Sequence, residues 1–491
     1  MKILLFDLGT NREEYNEPIG ICCLQPMLLQ HDVDMYWEKI STPPTYKKYD
    51  LIGLSVGLGR YDYFKKQMDI IKTENPSAMV FVGGNTPTFA YEELLADFPE
   101  IVCVVGEGES ATANLVEAFE NKKITLKEIK NLAFIENGSL VETERLQEDL
   151  TLHKGAARYF ISDVIDRQGI ARIEGSRGCP WGKCSFCCVE AKYGSSTWRP
   201  FPIDHILIEL IKLNDLGITS PYFTDEDFFG EDYPRSIKLA QLIVEQKKAG
   251  IIANEMNFFA SIRVKDVNKE GIVALKEWKK AGLREVFIGV ESCSEEQLKR
   301  YKKGVLPNEN LKAIETLQNL GFTVDTGFIL FDPQMNYEEL KASVKLIEHI
   351  HDMGIDSRSI KSLRVQPKTK YYFDIIAKGT TTSPLSISSL KYDIEYQDKK
   401  VLKAKKIFEQ FDSIFKEELH TLQAKSRGEV NSEDERATIK KTLDSCRKVD
   451  TQALSYLIKN LDSGNLKKYL VSFISKKEAL LKNSGSDLNP E

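Results

Sequence analysis

Twice along this chain, short apolar runs alternate with amphipathic stretches, and that alternation restricts the fold to largely parallel α/β sheets. In the first series the strand-like runs are Lys2 to Phe6, Asp32 to Trp37, Leu51 to Val56, Met79 to Val82 and Val102 to Val105. The second series has them at Ile170 to Glu174, Pro221 to Thr224, Met256 to Ile262, Glu285 to Val290, Thr323 to Phe331 and Ser359 to Val365. The first predicts an open Rossmann-like sheet and the second a partial (β/α)6 barrel of the TIM type. A strand-turn-strand from Asn131 to Glu144, with Asn137-Gly138 at its turn, leads into a linker between them. No proline occurs between Pro384 and Pro490, and helical periodicity, as in Ile407 to Leu419 and Tyr456 to Leu461, predicts a helical C-terminal region. The expected division is a Rossmann-like domain at 1–130, a linker with the hairpin at 131–165, the barrel at 166–382 and the helical domain at 383–491, frayed from Asn483 to Asp487. One barrel helix is marked by Asp204 as N-cap, an apolar stripe through Ile206, Leu210 and Leu213, and Gly217 as its stop.

A chain of 491 residues, 42% hydrophobic and 29% charged, has the composition of a soluble multidomain protein. It has no run of about 18 apolar residues, so no membrane span is expected. The first apolar run is followed by Glu13, Glu14 and Glu17 and reads as a strand, not a signal peptide. Nine cysteines, four of them in one short loop, fit reduced thiols in a cytoplasm better than a secreted disulfide framework. A net charge of -6 gives no reason to expect a nucleic-acid partner.

The densest chemistry lies in Glu174-Gly-Ser-Arg-Gly-Cys-Pro-Trp-Gly-Lys-Cys-Ser-Phe-Cys-Cys188. Four residues separate Cys179 from Cys184 and two separate Cys184 from Cys187, so one loop can aim three thiolates at one centre. Soft sulfur ligands so placed favour an iron-sulfur cluster or zinc. Zinc is the plainer alternative, but it usually takes a second cysteine pair at a distance, which this sequence lacks. Cys188 reads as a small packing residue or a neighbour of the centre, and Cys22 and Cys23 as core residues of a buried helix.

In both series the strand ends are chemically marked. The first reaches Ser55-Val-Gly57, Gly83-Gly84-Asn85 and Gly106-Glu107-Gly108. Glycine there lets backbone approach a bulky ligand beyond the carboxyl ends of the strands. The barrel strands end at the cysteine loop, Thr224-Asp225-Glu226, Ser261-Ile-Arg263, Glu291-Ser292, Asp332-Pro333, and Arg364 to Gln366. Working residues of (β/α) barrels sit at such ends. Trp181 and Trp198 could line a cofactor or substrate cavity, Tyr193, Tyr301 and Tyr371 could gate it, and Lys302-Lys303 reads as a solvated face.

Ser176 to Cys187, Phe223 to Phe228, Phe287 to Ser292 and Gly327 to Pro333, in that order, resemble the motifs of the radical S-adenosylmethionine superfamily. Pro18-Ile-Gly20, Val82 to Pro87 and Val105 to Glu109 resemble the cobalamin-binding domain of its class B members. The resemblance implies a 4Fe-4S cluster on Cys179, Cys184 and Cys187. It implies S-adenosylmethionine contacts at Phe186, Thr224, Asp225, Glu226, Ser261, Arg263 and Glu291. Cobalamin contacts fall at Ser55, Gly57, Gly83, Gly84, Asn85, Gly106, Glu107 and Gly108. The family's first cysteine interval is three residues, against four here, and such insertions occur in relatives that modify peptides. No Asp-x-His-x-x-Gly motif is present, so no protein histidine is expected beneath cobalt.

The chemistry the resemblance implies is methylation of an unactivated carbon. A 5′-deoxyadenosyl radical would take a substrate hydrogen, methylcobalamin would deliver the methyl group, and a second S-adenosylmethionine would remethylate the corrinoid. The expected partners are a small-molecule or peptide substrate and an electron donor of flavodoxin or ferredoxin type. Two alternatives stand beside it: a radical cyclisation or rearrangement without methyl transfer, and a metal-stabilised corrinoid or nucleotide sensor.

Overall fold

The computed structural model describes residues 1–10, 15–42, 44–121, 124–352, 356–357, 361–380, 382–427, 433–463 and 466–482. Its first sheet runs in the order Asp32–Trp37, Lys2–Asp7, Leu51–Ser55, Met79–Gly83, Val102–Val104, Leu132–Glu136, Ser139–Glu142. Pairing is parallel through Val102–Val104 and antiparallel in the last two strands. The chain order reverses beside Lys2–Asp7, which opens the crevice where such sheets take ligands. Apolar residues cover both faces: Ile3 and Leu5 point to one core, Leu4 and Phe6 to the other. Two buried faces explain why these strands read as unbroken apolar runs. The hairpin expected within the linker completes this sheet as its antiparallel edge.

The second sheet is wholly parallel, in the order Asp356–Ser357, Thr323–Phe331, Leu283–Glu291, Phe258–Arg263, Tyr222–Phe223, Arg172–Ile173, with Lys361–Ser362 also on Thr323–Phe331. This is the expected partial barrel, and its core includes Phe223 and Phe258, each packed edge to face against Trp278. Two expectations change. The run Ile170 to Glu174 yields only Arg172–Ile173 and a separate short strand, Ser176–Arg177, because the chain must turn into the cysteine loop. Asp204 is not an N-cap: the helix Ile203–Asp215 starts two residues earlier than that cap would set, after Pro202, leaving Asp204 in its first turn. Gly217, at φ +86, does follow that helix in the left-handed conformation. Ser359, Ile360 and the last residues from Asn483 lie outside the described residues.

The C-terminal region is helical from Lys399, and Phe408, Phe411, Leu454 and Leu457 join the barrel core. The segment before it folds back on the first domain, where the Gly59 N–H donates to the Ser388 carbonyl at 2.7 Å. Among the described residues no helix is long and apolar enough to cross a membrane.

Candidate active site

The carboxyl ends of the two sheets face each other across one cavity of about 530 Å³. From the first domain it is lined by Gly20, Ser55, Gly83, Gly84, Asn85, Gly106, Glu107 and Gly108, and from the barrel by Glu174, Arg177, Lys192, Tyr193 and Thr224. Of the glycine-loop residues singled out in the sequence, only Gly57 stands outside. A Cβ on Gly57 would come within 2.4 Å of the Gly9 carbonyl, so that glycine serves contact between two loops. Gly20 and Gly83 differ: a Cβ on Gly20 meets nothing within 4 Å, and one on Gly83 only Val104 at 4.0 Å. These two leave a cradle open, as a bulky planar ligand lying against backbone requires. Among the described residues no histidine lines the cavity, and His31 lies near Glu120, at 3.9 Å.

Arg177, two residues before the first loop cysteine, closes the seam between domains. Its guanidinium donates to Glu107 at 2.8 Å and Glu109 at 2.7 Å in the first domain, and to Glu174 at 2.9 Å. Burial alone would lower the arginine's pKa, but Glu174 and Glu109 raise it well above its ordinary value. Burial pushes the Glu109 carboxyl up, and Arg177 with His153 overrides this, holding it well below the usual carboxylate range. Glu107 also receives Arg199 at 2.9 Å, so its side chain is a bridge to the barrel. Charges that meet across such sequence distances leave no periodicity or motif, and sequence reasoning missed Arg177 for that reason.

The barrel rim is equally interlocked. Asp225 is buried and accepts from the Gly175 N–H at 2.9 Å and the Ser176 hydroxyl at 2.6 Å. Burial still raises its pKa to about 7 against those bonds. Glu226 accepts from Lys192 at 2.7 Å, Tyr193 at 2.8 Å and the Gly178 N–H at 3.1 Å. Arg263 is held by Asp227, Glu231 and Asp266, each at 2.9 Å. Glu291, at φ +64, pairs with Lys303 at 3.1 Å. Phe186 packs against buried Tyr301, 5.0 Å between centroids, and Tyr371 donates to Asp332 at 2.7 Å. Ser261 lends its carbonyl to the Phe228 N–H. Of the residues assigned to S-adenosylmethionine, Thr224 lines the cavity itself. Neither Trp181 nor Trp198 does, since Trp198 donates to the Asp227 carbonyl at 2.9 Å and packs on Gly230. Of Tyr193, Tyr301 and Tyr371, the first reaches it, as does Tyr222, while Tyr301 and Tyr371 are sealed in a buried cluster.

The donor set of the cysteine loop is three soft thiols. Tetrahedral zinc, with bonds near 2.3 Å, would place sulfurs about 3.8 Å apart. Among the described residues, the set of three ligand atoms all within 4.8 Å of one another is Cys23, His153 and Glu174, not the loop cysteines. Among Cys179, Cys184 and Cys187 at least one pair of sulfurs is therefore more than 4.8 Å apart, wider than tetrahedral zinc takes. Burial raises all three thiol pKa values, that of Cys187 to about 12 with Cys188 beside it. A cationic centre would offset that penalty and hold them as thiolates.

The chain matches the radical SAM superfamily over residues 173–347 and the B12 binding domain over residues 8–116. It is 28% identical over 322 residues to 4'-phospho-dehydrooxetanocin synthase of Priestia megaterium, covering 61% of this chain and 42% of that protein. It is 28% identical over 284 residues to hopanoid C-3 methylase of Methylococcus capsulatus, covering 56% of this chain and 52% of that one. The chain thus spans about half the length of these curated relatives. The fold is similar to that of the cobalamin-dependent S-adenosylmethionine radical enzyme OxsB, with a TM-score of 0.83 and 19% identity, over 99% of this chain and 80% of that one. With both family domains present in order, the chain belongs to the cobalamin-dependent, class B branch of the radical S-adenosylmethionine superfamily, whose cofactors are a 4Fe-4S cluster, S-adenosylmethionine and cobalamin.

Proposed function

We propose that this enzyme transfers a methyl group to an unactivated carbon. The observation that carries the reading is the single cavity shared by the glycine-lined rim of the B12-binding domain and the barrel rim at Thr224, Lys192 and Tyr193. Cysteines 179, 184 and 187 would hold the cluster, and the cradle at Gly20, Gly83 and Gly84 would receive the corrinoid. When bound, the cluster with S-adenosylmethionine supplies hydrogen-atom abstraction, and cobalamin supplies the methyl group.

The chain's own residues bind, orient and exclude water. Burial disfavours the Lys192 ammonium, but Tyr193 and Glu226 raise its pKa well above the ordinary value, so it faces the cavity charged. The same Glu226 orients the Tyr193 hydroxyl. Arg177 and its three carboxylates close the seam along the cavity wall, which keeps water from a reactive centre. None of Pro180 to Lys183 lines the cavity, and neither do Cys179, Cys184 and Cys187 themselves.

A second reading, rearrangement or cyclisation without methyl transfer, draws support from the likeness to a synthase whose name specifies no methyl transfer. An anaerobic reaction with reductant, S-adenosylmethionine and an accepted substrate separates the two. Methyl transfer yields S-adenosylhomocysteine beside 5′-deoxyadenosine; 5′-deoxyadenosine alone would favour rearrangement and end the first reading. Anaerobic reconstitution tests the centre itself, since Cys184→Ala should abolish the brown chromophore of the unmodified protein.

A further inference from the structure

We propose that the outer face of the cysteine loop, centred on Trp181, is the docking surface for a small acidic one-electron carrier protein, built by the lengthened interval between Cys179 and Cys184. The inference rests on those cysteines holding the cluster. Trp181 is fixed outside the cavity in three ways. Its indole N–H donates to the Lys302 carbonyl at 2.9 Å, and its ring lies on Gly304, where a Cβ would come within 2.5 Å of it. The Lys183 ammonium stands 4.9 Å from the ring centroid. A half-buried aromatic so clamped, next but one to Cys179 in the chain, gives an electron a short bonded route from the surface to a ligand of the cluster.

Three lysines, one on the loop and two on the turn Trp181 rests on, carry charge of one sign. Lys183, Lys299 and Lys302 are exposed, and among the described residues none of them has an ion pair. Lys299 and Lys302 share one turn, the Lys302 N–H donating to the Lys299 carbonyl at 3.0 Å. Flanking carboxylates are already neutralised, Glu291 by Lys303 at 3.1 Å and Glu190 by Lys370 at 2.7 Å. Glu295 and Glu296 stand at the far, N-terminal end of the helix Glu295–Arg300. Leu306, 48% exposed and two residues past Gly304, adds apolar area. The whole chain carries a net charge of -6, so an acidic carrier is repelled by the protein at large and steered to this patch. In the step itself the reduced carrier loses one electron and the cluster gains it; no bond forms and no proton moves.

The test uses reconstituted holoenzyme mixed rapidly with reduced flavodoxin, following the bleaching of cluster absorbance at several salt concentrations. The double variant Lys183→Glu, Lys302→Glu should slow bleaching about tenfold at low salt and remove its salt dependence. Its reduction by dithionite at high salt, where charge is screened, should not change. An unchanged rate with flavodoxin would overturn the proposal. So would equal slowing with dithionite, which would place the effect on the cluster. The matched variant Lys276→Glu, Lys280→Glu, on the helix Lys269–Ala281, should leave both rates intact; slowing equal to that of the first pair would assign the effect to net charge and overturn the patch. Failure of the cluster reading would show separately, as no chromophore in the unmodified protein.

Discussion

The two rims that meet at the cavity are built by opposite means. On the first sheet, space is made by omission: Gly20, Gly83 and Gly84 line the cavity with backbone, and the first two leave a Cβ position open. On the barrel, space is bounded by charged side chains already committed to one another, Arg177 to three glutamates, Glu226 to Lys192 and Tyr193, Arg263 to three carboxylates. A large flat ligand is accommodated by removing atoms. A small charged one needs polar groups fixed in advance, because a buried charge without partners is costly. The difference teaches that a glycine rim tolerates loss of its ligand, whereas a charged rim must be self-sufficient before any ligand arrives.

Breaking the charged side should give the largest effect. Arg177→Ala leaves Glu107, Glu109 and Glu174 facing one another in a buried seam, and should cost about 3–5 kcal/mol of stability in calorimetry at pH 7. A loss under about 1 kcal/mol would mean that packing, not charge, joins the domains. The pH profile of stability sharpens the same point with two limbs of opposite sign. The folded pKa of Asp225, about 7, lies above its ordinary 3.8, so the unfolded chain releases that proton first and stability falls as pH rises between those values. Glu109 is depressed below its ordinary 4.5, so its contribution is present above that pH and lost as pH falls through its lower folded value. Asp225→Asn should flatten the neutral limb and spare the acid one; identical profiles in variant and parent would refute the assignment.

The glycine rim should respond more weakly, and selectively. Gly57→Ala forces a Cβ against the Gly9 carbonyl and should destabilise by about 1–3 kcal/mol with or without corrinoid. Gly83→Ala should leave the melting temperature of the cofactor-free protein nearly unchanged while reducing retention of hydroxocobalamin through gel filtration. Equal behaviour of the two variants would erase the distinction between a packing glycine and a cradle glycine.

Much of the architecture was legible because its signals are local. Strands buried on both faces read as apolar runs, and Asp32–Trp37 and Thr323–Phe331 appear with the bounds read from sequence. Shorter elements were less so: the first barrel strand is cut to Arg172–Ile173 by the turn into the cysteine loop, a demand of the loop and not of residue preference. Trp198 illustrates the limit for side chains. Its place beside the cysteine loop suggested a cavity wall, yet its indole is turned to the Asp227 carbonyl and the open face of Gly230.

By itself, then, the sequence determined the two α/β units, the thiolate loop and the glycine-terminated strands, because spacing and periodicity are properties of neighbours along the chain. Only the tertiary structure decided that both rims open on one cavity, that Arg177 locks the cysteine loop to the first domain, and that Gly57 packs where Gly83 makes room. Those outcomes depend on Coulomb attraction and steric contact between residues far apart in the chain, and such forces act through distances in space that no local pattern encodes.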